Sequence, residues 1–335
     1  KILRVSPACE TPQLARDITA ALAGNGPTLG FGEVSSEFGP TQAAVVIGTS
    51  GTTGTPKEIF LSSHALVSSA RASNAFVGAK LGDTWSLLLP LTHVAAVNVF
   101  VRAFELGTIP VDLRNHSGEY PRVNFTAIVP TQLFRALNGD EHLLKHLQGA
   151  QKVLVGGAAL SAGIRNQATA AGINIVTTYG MSETSGGCVY NGQVLDGSEV
   201  EVRGGSIFIR GNILALNLEL SDSWFETKDL GEFIDDKLVV LGRSDDVIIS
   251  GGENLSLDNV ENVLNESLPN IQCAAFSIED SQWGQTLHVA VVGNVDKSSI
   301  TSILEEKIGA FAKPKGIHFM NSLPLLGIGK IDRRK

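Results

Sequence analysis

From Pro12 to Ala23 apolar residues recur at helical spacing and predict an amphipathic helix, followed by a Gly-, Pro- and Ser-rich loop over Gly24–Pro40. The apolar run Ala43–Ile47 reads as a buried strand and Glu58–Leu61 as a second one. Ser62 or Ser63 can cap a helix running to about Gly78, and Trp85–Leu91 is strand-like. Val94–Leu106 is apolar on nearly every side, which predicts a buried helix. Short strands at Thr108–Val111, Thr126–Val129, Lys152–Val155 and Asn174–Thr177 alternate with helices at Thr131–Asn138, Leu143–Leu147 and Ser161–Ala171. Such alternation predicts a mostly parallel sheet covered on both faces.

Past Gly186 the period shortens. Alternating strands at Glu199–Arg203, Ser206–Arg210, Gly231–Ile234 and Leu238–Leu241 predict antiparallel sheet beside the α/β layer. Gly242–Asp246 breaks the pattern, and a second α+β unit follows: helix Leu257–Leu264, strands Cys273–Ile278 and Thr286–Gly293, and helix Ser298–Phe311. The expected fold is α/β. A large N-terminal domain over 1–243 carries mixed sheet plus antiparallel sheet, 244–246 form a hinge, and 247–335 form a small, mobile C-terminal α+β domain.

Composition narrows the function class. At 335 residues two domains are expected, and 43% hydrophobic with 18% charged residues is ordinary for a globular protein. A net charge of −8 argues against a nucleic-acid surface. Cys9, Cys188 and Cys273 show neither metal-ligand spacing nor a disulfide framework, which fits a reducing cytosol, and hence a cytoplasmic protein. No apolar run is long enough to span a bilayer, and the chain, which starts at Lys1, shows no signal-peptide core.

Four segments carry chemistry. In Gly48-Thr-Ser-Gly-Thr-Thr-Gly-Thr-Pro-Lys57 three glycines permit close backbone approach, hydroxyls and N–H groups donate, and Lys57 adds a positive charge, a combination suited to a phosphate chain. Pro56-Lys57-Glu58 departs from the Walker A pattern, and the strand after it replaces a helix, so a hairpin folded over phosphates is expected. A solvated Gly/Thr linker is the bland alternative. Thr178–Gly187 follows a buried strand, where open α/β sheets bind ligands; its Tyr179, hydroxyls and Glu183 could stack on a purine, reach a phosphate and hold Mg2+. A turn with a surface glutamate is the competing reading. Asp229 and Arg243 could together grip a ribose diol, although singly each reads as a turn or surface residue. Lys330, flanked by Gly329 and Ile331 near the chain end, would either fray in solvent or balance charge on a reacting carboxylate and phosphate. The chain offers no credible Ser–His–Asp or Cys–His nucleophile arrangement.

In this order, from about Ala43 onward, the segments resemble the adenylate-forming superfamily of acyl-CoA synthetases, adenylation domains and luciferases. Tyr179–Gly187 continued by Cys188–Gly192, together with the short chain, is similar to the compact o-succinylbenzoate–CoA ligases of menaquinone biosynthesis. The resemblance implies an acid–thiol ligase with Mg2+ as cofactor and ATP and CoA as co-substrates: an aryl carboxylic acid attacks the α-phosphorus of ATP, the small domain rotates, and the CoA thiol displaces AMP. It implies that Thr49, Ser50, Gly51, Thr52, Thr53, Gly54 and Lys57 hold the outer phosphates and that Gly156, Gly157 and Ala158 with Tyr179 and Gly180 frame adenine. Ser182 would touch the α-phosphate, Glu183 would hold Mg2+, and Asp229 with Arg243 would clamp the ribose. Asp245 matches the hinge, Lys330 the adenylation lysine, His93 the gate of the acyl pocket, and Gly251-Gly252 the path of the thiol.

Departures from the family are few. Ser182 stands where Thr is usual, Glu58 where Gly follows the lysine, and Lys228 where Gly precedes the aspartate. The region before the phosphate loop is much shorter than in most relatives, which leaves one flank of the acyl site open or available for a homodimer. o-Succinylbenzoate carries a second carboxylate, and Arg102, interrupting the apolar run Val97–Leu106, is its candidate partner; pairing with Glu105 or a backbone carbonyl is the equal alternative. Ser185, Gly186 and Gly187 are expected to line the same pocket. The other functions weighed are an aryl-acid adenylating enzyme that loads a carrier protein and a non-catalytic nucleotide-binding regulator.

Overall fold

The computed structural model describes residues 1–49, 57–250, 253–268, 271–280 and 284–324. The phosphate loop's stem belongs to a four-stranded sheet of β1 (Ile2–Arg4), β2 (Thr28–Phe31), β3 (Ala43–Thr49) and β4 (Lys57–Ser62), in that order. The first three run parallel and β4 returns antiparallel, with Thr49 opposite Lys57 and Gly48 opposite Glu58. The expected hairpin stem is therefore present. Gly24–Pro40, however, is not all loop. It holds β2, which pairs with β1 on one side and β3 on the other and buries Leu29 and Phe31, a contribution its turn-rich flanks conceal. Helix α1 (Thr11–Leu22) connects β1 to β2 and buries Leu14, Ala15 and Ile18. Helix α2 (Ser63–Val77) begins where Ser62 Oγ accepts from Ala65 N at 3.1 Å and ends on Gly78 with φ of 74°, the left-handed conformation that glycine adopts freely.

A second sheet has seven strands: β5 (Trp85–Leu87), β6 (Val111–Asp112), β7 (Phe125–Ile128), β8 (Lys152–Val155), β9 (Ile175–Met181), β10 (Gly186–Tyr190) and β11 (Gln193–Val194). Its spatial order is β11-β10-β9-β8-β7-β5-β6, parallel from β6 to β9 and antiparallel at β10 and β11. The mixed sheet expected for the large domain is therefore present, mostly parallel as the alternation predicts, and the chain before it forms a separate four-stranded sheet. Helix α3 (Val94–Glu105) lies buried between them, as its apolar circumference predicts: Ala96–Ala103 are all nearly inaccessible. Helices α4 (Pro130–Leu137), α5 (Glu141–Gly149) and α6 (Ala162–Ala170) pack on a separate apolar cluster that includes Leu133, Leu147 and Val153.

An antiparallel meander follows, β12 (Ser198–Arg203), β13 (Ser206–Gly211), β14 (Phe225–Ile234) and β15 (Lys237–Arg243). A 3-10 turn over Ser244–Asp246 leads out of it. The remaining elements are β16 (Val247–Ser250), β17 (Glu253–Ser256), α7 (Leu257–Ser267), β18 (Gln272–Asp280), β19 (Gly284–Val292), α8 (Lys297–Lys307) and β20 (Gly316–Phe319). They enclose a core of their own, with Leu255, Val260, Leu264, Ala275, Val289, Ile300 and Leu304 at its centre. Among the described residues no helix is long and apolar enough to cross a membrane.

Candidate active site

Contacts between three separate sheets, rather than any local turn, gather the expected residues. Lys57 opens β4, and Glu183 sits in the 3-10 turn Ser182–Thr184 that ends β9; their side chains approach to 3.9 Å between Nζ and Oε1. Ala215 N donates to Glu183 O at 2.9 Å and fixes that backbone. Thr49 stands across from Lys57, its Oγ1 donating to Lys57 O at 3.0 Å. The phosphate-loop residues Ser50, Gly51, Thr52, Thr53 and Gly54 lie outside the described residues, as do Gly251, Gly252 and Lys330.

Tyr179 and Gly180 belong to β9 itself, so the segment is strand, not a turn beyond one. Asp229 likewise is not a turn residue. It sits inside β14, where strand alternation buries it with Thr227, 6% and 5% exposed. Its Oδ2 accepts from the Tyr179 hydroxyl at 2.8 Å and its Oδ1 from Arg243 Nη1 at 3.1 Å. Burial and the adjacent Asp229 charge drive the Tyr179 phenol well above its ordinary range, so it stays a donor. Arg243 also bonds both carboxylate oxygens of Asp245, at 2.8 and 3.0 Å, and Lys228 Nζ lies 3.3 Å from the same carboxylate. Burial opposes ionisation of Asp245, yet the Arg243 and Lys228 contacts outweigh it and hold its carboxyl below the usual range. Lys228, which departs from the family pattern, thus joins the expected hinge instead of the Asp229 clamp.

Beside Tyr179, a Cβ on Gly156 would run into Thr178 Oγ1, and Gly157 has φ of 84°; both need the absence of a side chain to follow β8 so closely. Ala158 is exposed next to them. Ser182 is half-buried and its carbonyl accepts from Ser185 N at 3.1 Å. Ser185 is buried in the left-handed conformation, its hydroxyl donating to Ile213 O at 2.8 Å. A Cβ on Gly186 would collide with Asn98 Nδ2, and one on Gly187 with the Tyr190 ring. These three residues therefore form a tightly packed wall next to α3.

His93 is the N-cap residue of α3, and burial lowers its imidazole pKa below 6.5, keeping it neutral. Nine residues on, Arg102 is 4% exposed. Glu105, its sequence-suggested partner, bonds Arg71 instead. Arg102 Nη2 donates to the Tyr190 hydroxyl at 3.1 Å, its guanidinium lies 5.0 Å over the Trp85 ring, and its Nε has no partner among the described residues. Among the described residues the expected backbone-carbonyl pairing does not occur either. One helical turn earlier, Asn98 donates to Ser185 O at 2.8 Å while its Oδ1 is unpartnered among the described residues. Asn98 was not singled out by the sequence, although as a second polar residue in the same apolar run it carries the same signal as Arg102. Tyr190 and Thr184 were also missed; the latter, buried, holds Met181 N at 3.0 Å and Gly186 O at 2.7 Å and so shapes the turn around Glu183.

The AMP-binding enzyme family matches residues 7–210, and the AMP-binding enzyme C-terminal domain matches 259–330. A probable 2-succinylbenzoate–CoA ligase of Mycobacterium tuberculosis is 36% identical over 319 residues, which is 87% of this chain and 82% of that protein. A 2-succinylbenzoate–CoA ligase of Lactococcus lactis is 29% identical, covering 90% of this chain and 72% of the relative. In fold the chain is similar to the o-succinylbenzoate CoA synthetase of Bacillus subtilis in complex with its acyl-adenylate, with a TM-score of 0.74 at 23% identity over 96% of this chain and 80% of that one. The chain belongs to the AMP-binding enzyme family.

Proposed function

We propose that this protein is an acid–CoA ligase that joins o-succinylbenzoate to CoA through an acyl-adenylate, releasing AMP and diphosphate. The observation that carries the reading is the convergence of Lys57 and Glu183, suited to phosphates, with an Asp229 already gripped by Tyr179 and Arg243, suited to a ribose diol. The curated relatives make CoA ligation the favoured second step over loading of a carrier protein.

Attack of a carboxylate oxygen on the α-phosphorus brings two anions together and expels diphosphate. That step needs positive charge and fixed geometry more than a protein nucleophile. Lys57 supplies charge at the hairpin, and Lys330 supplies it from the C-terminal part, where the family match ends. Ser182 would face the α-phosphate from the end of β9. Asp229, acceptor-only, takes hydrogen bonds from the ribose hydroxyls while Arg243 and Tyr179 hold it in place. In the second step the CoA thiol attacks the acyl carbonyl, the carbonyl–phosphate bond breaks, and AMP leaves.

Mg2+ fits this site on the chemistry of its donors. Glu183 is only loosely engaged by Lys57, and no cluster of three His, Cys, Asp or Glu side chains occurs among the described residues. A single carboxylate with phosphate oxygens and waters suits Mg2+. Glu183 would hold it, and when bound it neutralises charge on the phosphates.

Arg102 is the partner we assign to the carboxylate that is not activated. A buried guanidinium whose neighbours are an aromatic ring and a phenol, with Nε unpartnered among the described residues, still has capacity for an anion. The turn Ser244–Asp246, between two separately packed cores, is the hinge that would let the C-terminal part change position between steps. The test is to incubate the protein with ATP, Mg2+, CoA and a panel of aryl acids and weigh the thioesters. The o-succinylbenzoyl thioester should dominate; formation of acyl-adenylates but no CoA thioester would refute the ligase assignment.

A further inference from the structure

Glu58 is the unusual residue in the hairpin stem, and the structure gives it a set of partners no family pattern foretells. Strand alternation puts its side chain on the face opposite Lys57, away from Glu183 and towards residues 33–36. There one carboxylate oxygen, Oε1, accepts three hydrogen bonds, from Ser35 N at 2.6 Å, Ser35 Oγ at 2.8 Å and Ser36 N at 3.0 Å. The carbonyls of the same segment are taken from the other side by Arg4, whose Nε donates to Val34 O at 2.8 Å and whose Nη2 donates to Ser35 O at 2.8 Å and Ser36 O at 3.4 Å. A cation thus holds the acceptor side of these peptides and an anion holds their donor side, so each polarises the other's bonds. The partial burial of Glu58 opposes ionisation, but the bonds from Ser36 and Ser35 outweigh it and pull its carboxyl down to about 2.

The brace continues to the other side of the hairpin. Gly48, opposite Glu58 in the ladder, lies so close to Glu33 that a Cβ would strike its backbone. Asn217 Nδ2 donates to Glu58 O at 2.8 Å and its Oδ1 accepts from Phe60 N at 3.0 Å. Leu216 N donates to Phe60 O at 2.8 Å, and one residue earlier Ala215 N holds Glu183 O at 2.9 Å. An unbroken run of bonds therefore links Arg4, residues 34–36, Glu58, β4, residues 215–217 and Glu183.

We propose that Glu58 is a positioning residue: braced by Ser35, Ser36 and Arg4, it holds the stem of the hairpin so that Lys57 stays in register with Glu183 for ATP's outer phosphates. The proposal rests on the hairpin's being the phosphate grip. A charged clamp here does by hydrogen bonding what a glycine at this position could not. Its negative charge is kept off the nucleotide because Glu58 and Lys57 face opposite ways.

The test compares parent, Glu58→Ala and Glu58→Gln in two half-reactions: acid-dependent ATP–diphosphate exchange, and thioester formation from supplied acyl-adenylate, which lacks the outer phosphates. Glu58→Ala should raise the KM for ATP roughly tenfold, the scale of a lost charged hydrogen-bond set, and Glu58→Gln, which keeps an acceptor oxygen, roughly threefold. The KM for acyl-adenylate should change less than about twofold in both. Equal damage to both half-reactions, or none to either, overturns the proposal. Should Glu58→Ala fail to fold, Ser35→Ala, which removes one hydroxyl donor, must still raise the KM for ATP selectively, and an unchanged value counts against the clamp. A parent that shows no exchange with any aryl acid would instead defeat the ligase reading.

Discussion

Replacing Arg102 by Met separates a substrate contact from a core contact. Met keeps the length of the stem but removes the guanidinium that lies over Trp85 and donates to Tyr190. On the stability side, the lost hydrogen bond and cation–π contact are together worth about 1–3 kcal/mol. Removing a buried charge whose Nε has no partner among the described residues offsets much of that, so the melting temperature should move by no more than about 4 °C. On the catalytic side, a charged hydrogen bond to the second carboxylate of o-succinylbenzoate is worth about 1.5–3 kcal/mol, a roughly 10- to 150-fold fall in kcat/KM. The assay is ATP–diphosphate exchange driven by o-succinylbenzoate and, separately, by an analogue lacking the second carboxylate. The variant should lose its preference between the two acids while its KM for ATP stays within about twofold of the parent's. A fall of equal size for both acids would mean that Arg102 shapes the core and binds no substrate.

Further predictions address the other parts of the site. Asp229→Asn leaves Tyr179 and Arg243 in place but removes the charge they share, and should weaken AMP as well as ATP by about 2–4 kcal/mol, measured by calorimetry. Lys330→Ala should abolish adenylation yet leave thioester formation from supplied acyl-adenylate largely intact; loss of both half-reactions would contradict separate states for the two steps. His93, whose pKa is lowered by burial, binds fewer protons folded than unfolded as pH falls through 6.5, so its contribution to stability is retained above that value and declines below it. If the neutral imidazole is the working form, kcat/KM should be flat through pH 6.5 and fall only at lower pH, and an inflection above 6.5 would contradict the buried neutral ring.

The sequence conveyed the elements well where one face or all faces were apolar. The strand Lys152–Val155 has the expected bounds, and α3 is buried as its composition demands. It failed where a strand is short and its flanks are turn-rich, as at Thr28–Phe31, because four residues carry too little periodicity to outweigh Gly24–Pro40. The site was legible in its residue types but not in its contacts. Asp229 looks like a turn residue between Lys228 and Gly231, and only pairing of β14 with β13 and β15 buries it against Tyr179, fifty positions away. Arg102 has Glu105 at helical spacing, yet its bonding partner is Tyr190, eighty-eight positions along the chain. Glu58 read as a departure from a family pattern, and its meaning depends on Arg4 and Ser35, which no local signal connects to it. Local preference is written along the chain; the partners of a buried charge are decided by which strands meet.

The most direct test of the account is a crystal structure of the protein with ATP and Mg2+. The outer phosphates should lie within hydrogen-bond distance of Lys57 with the metal on Glu183, and the ribose hydroxyls should meet Asp229. A nucleotide seated away from both Lys57 and Asp229 would contradict it.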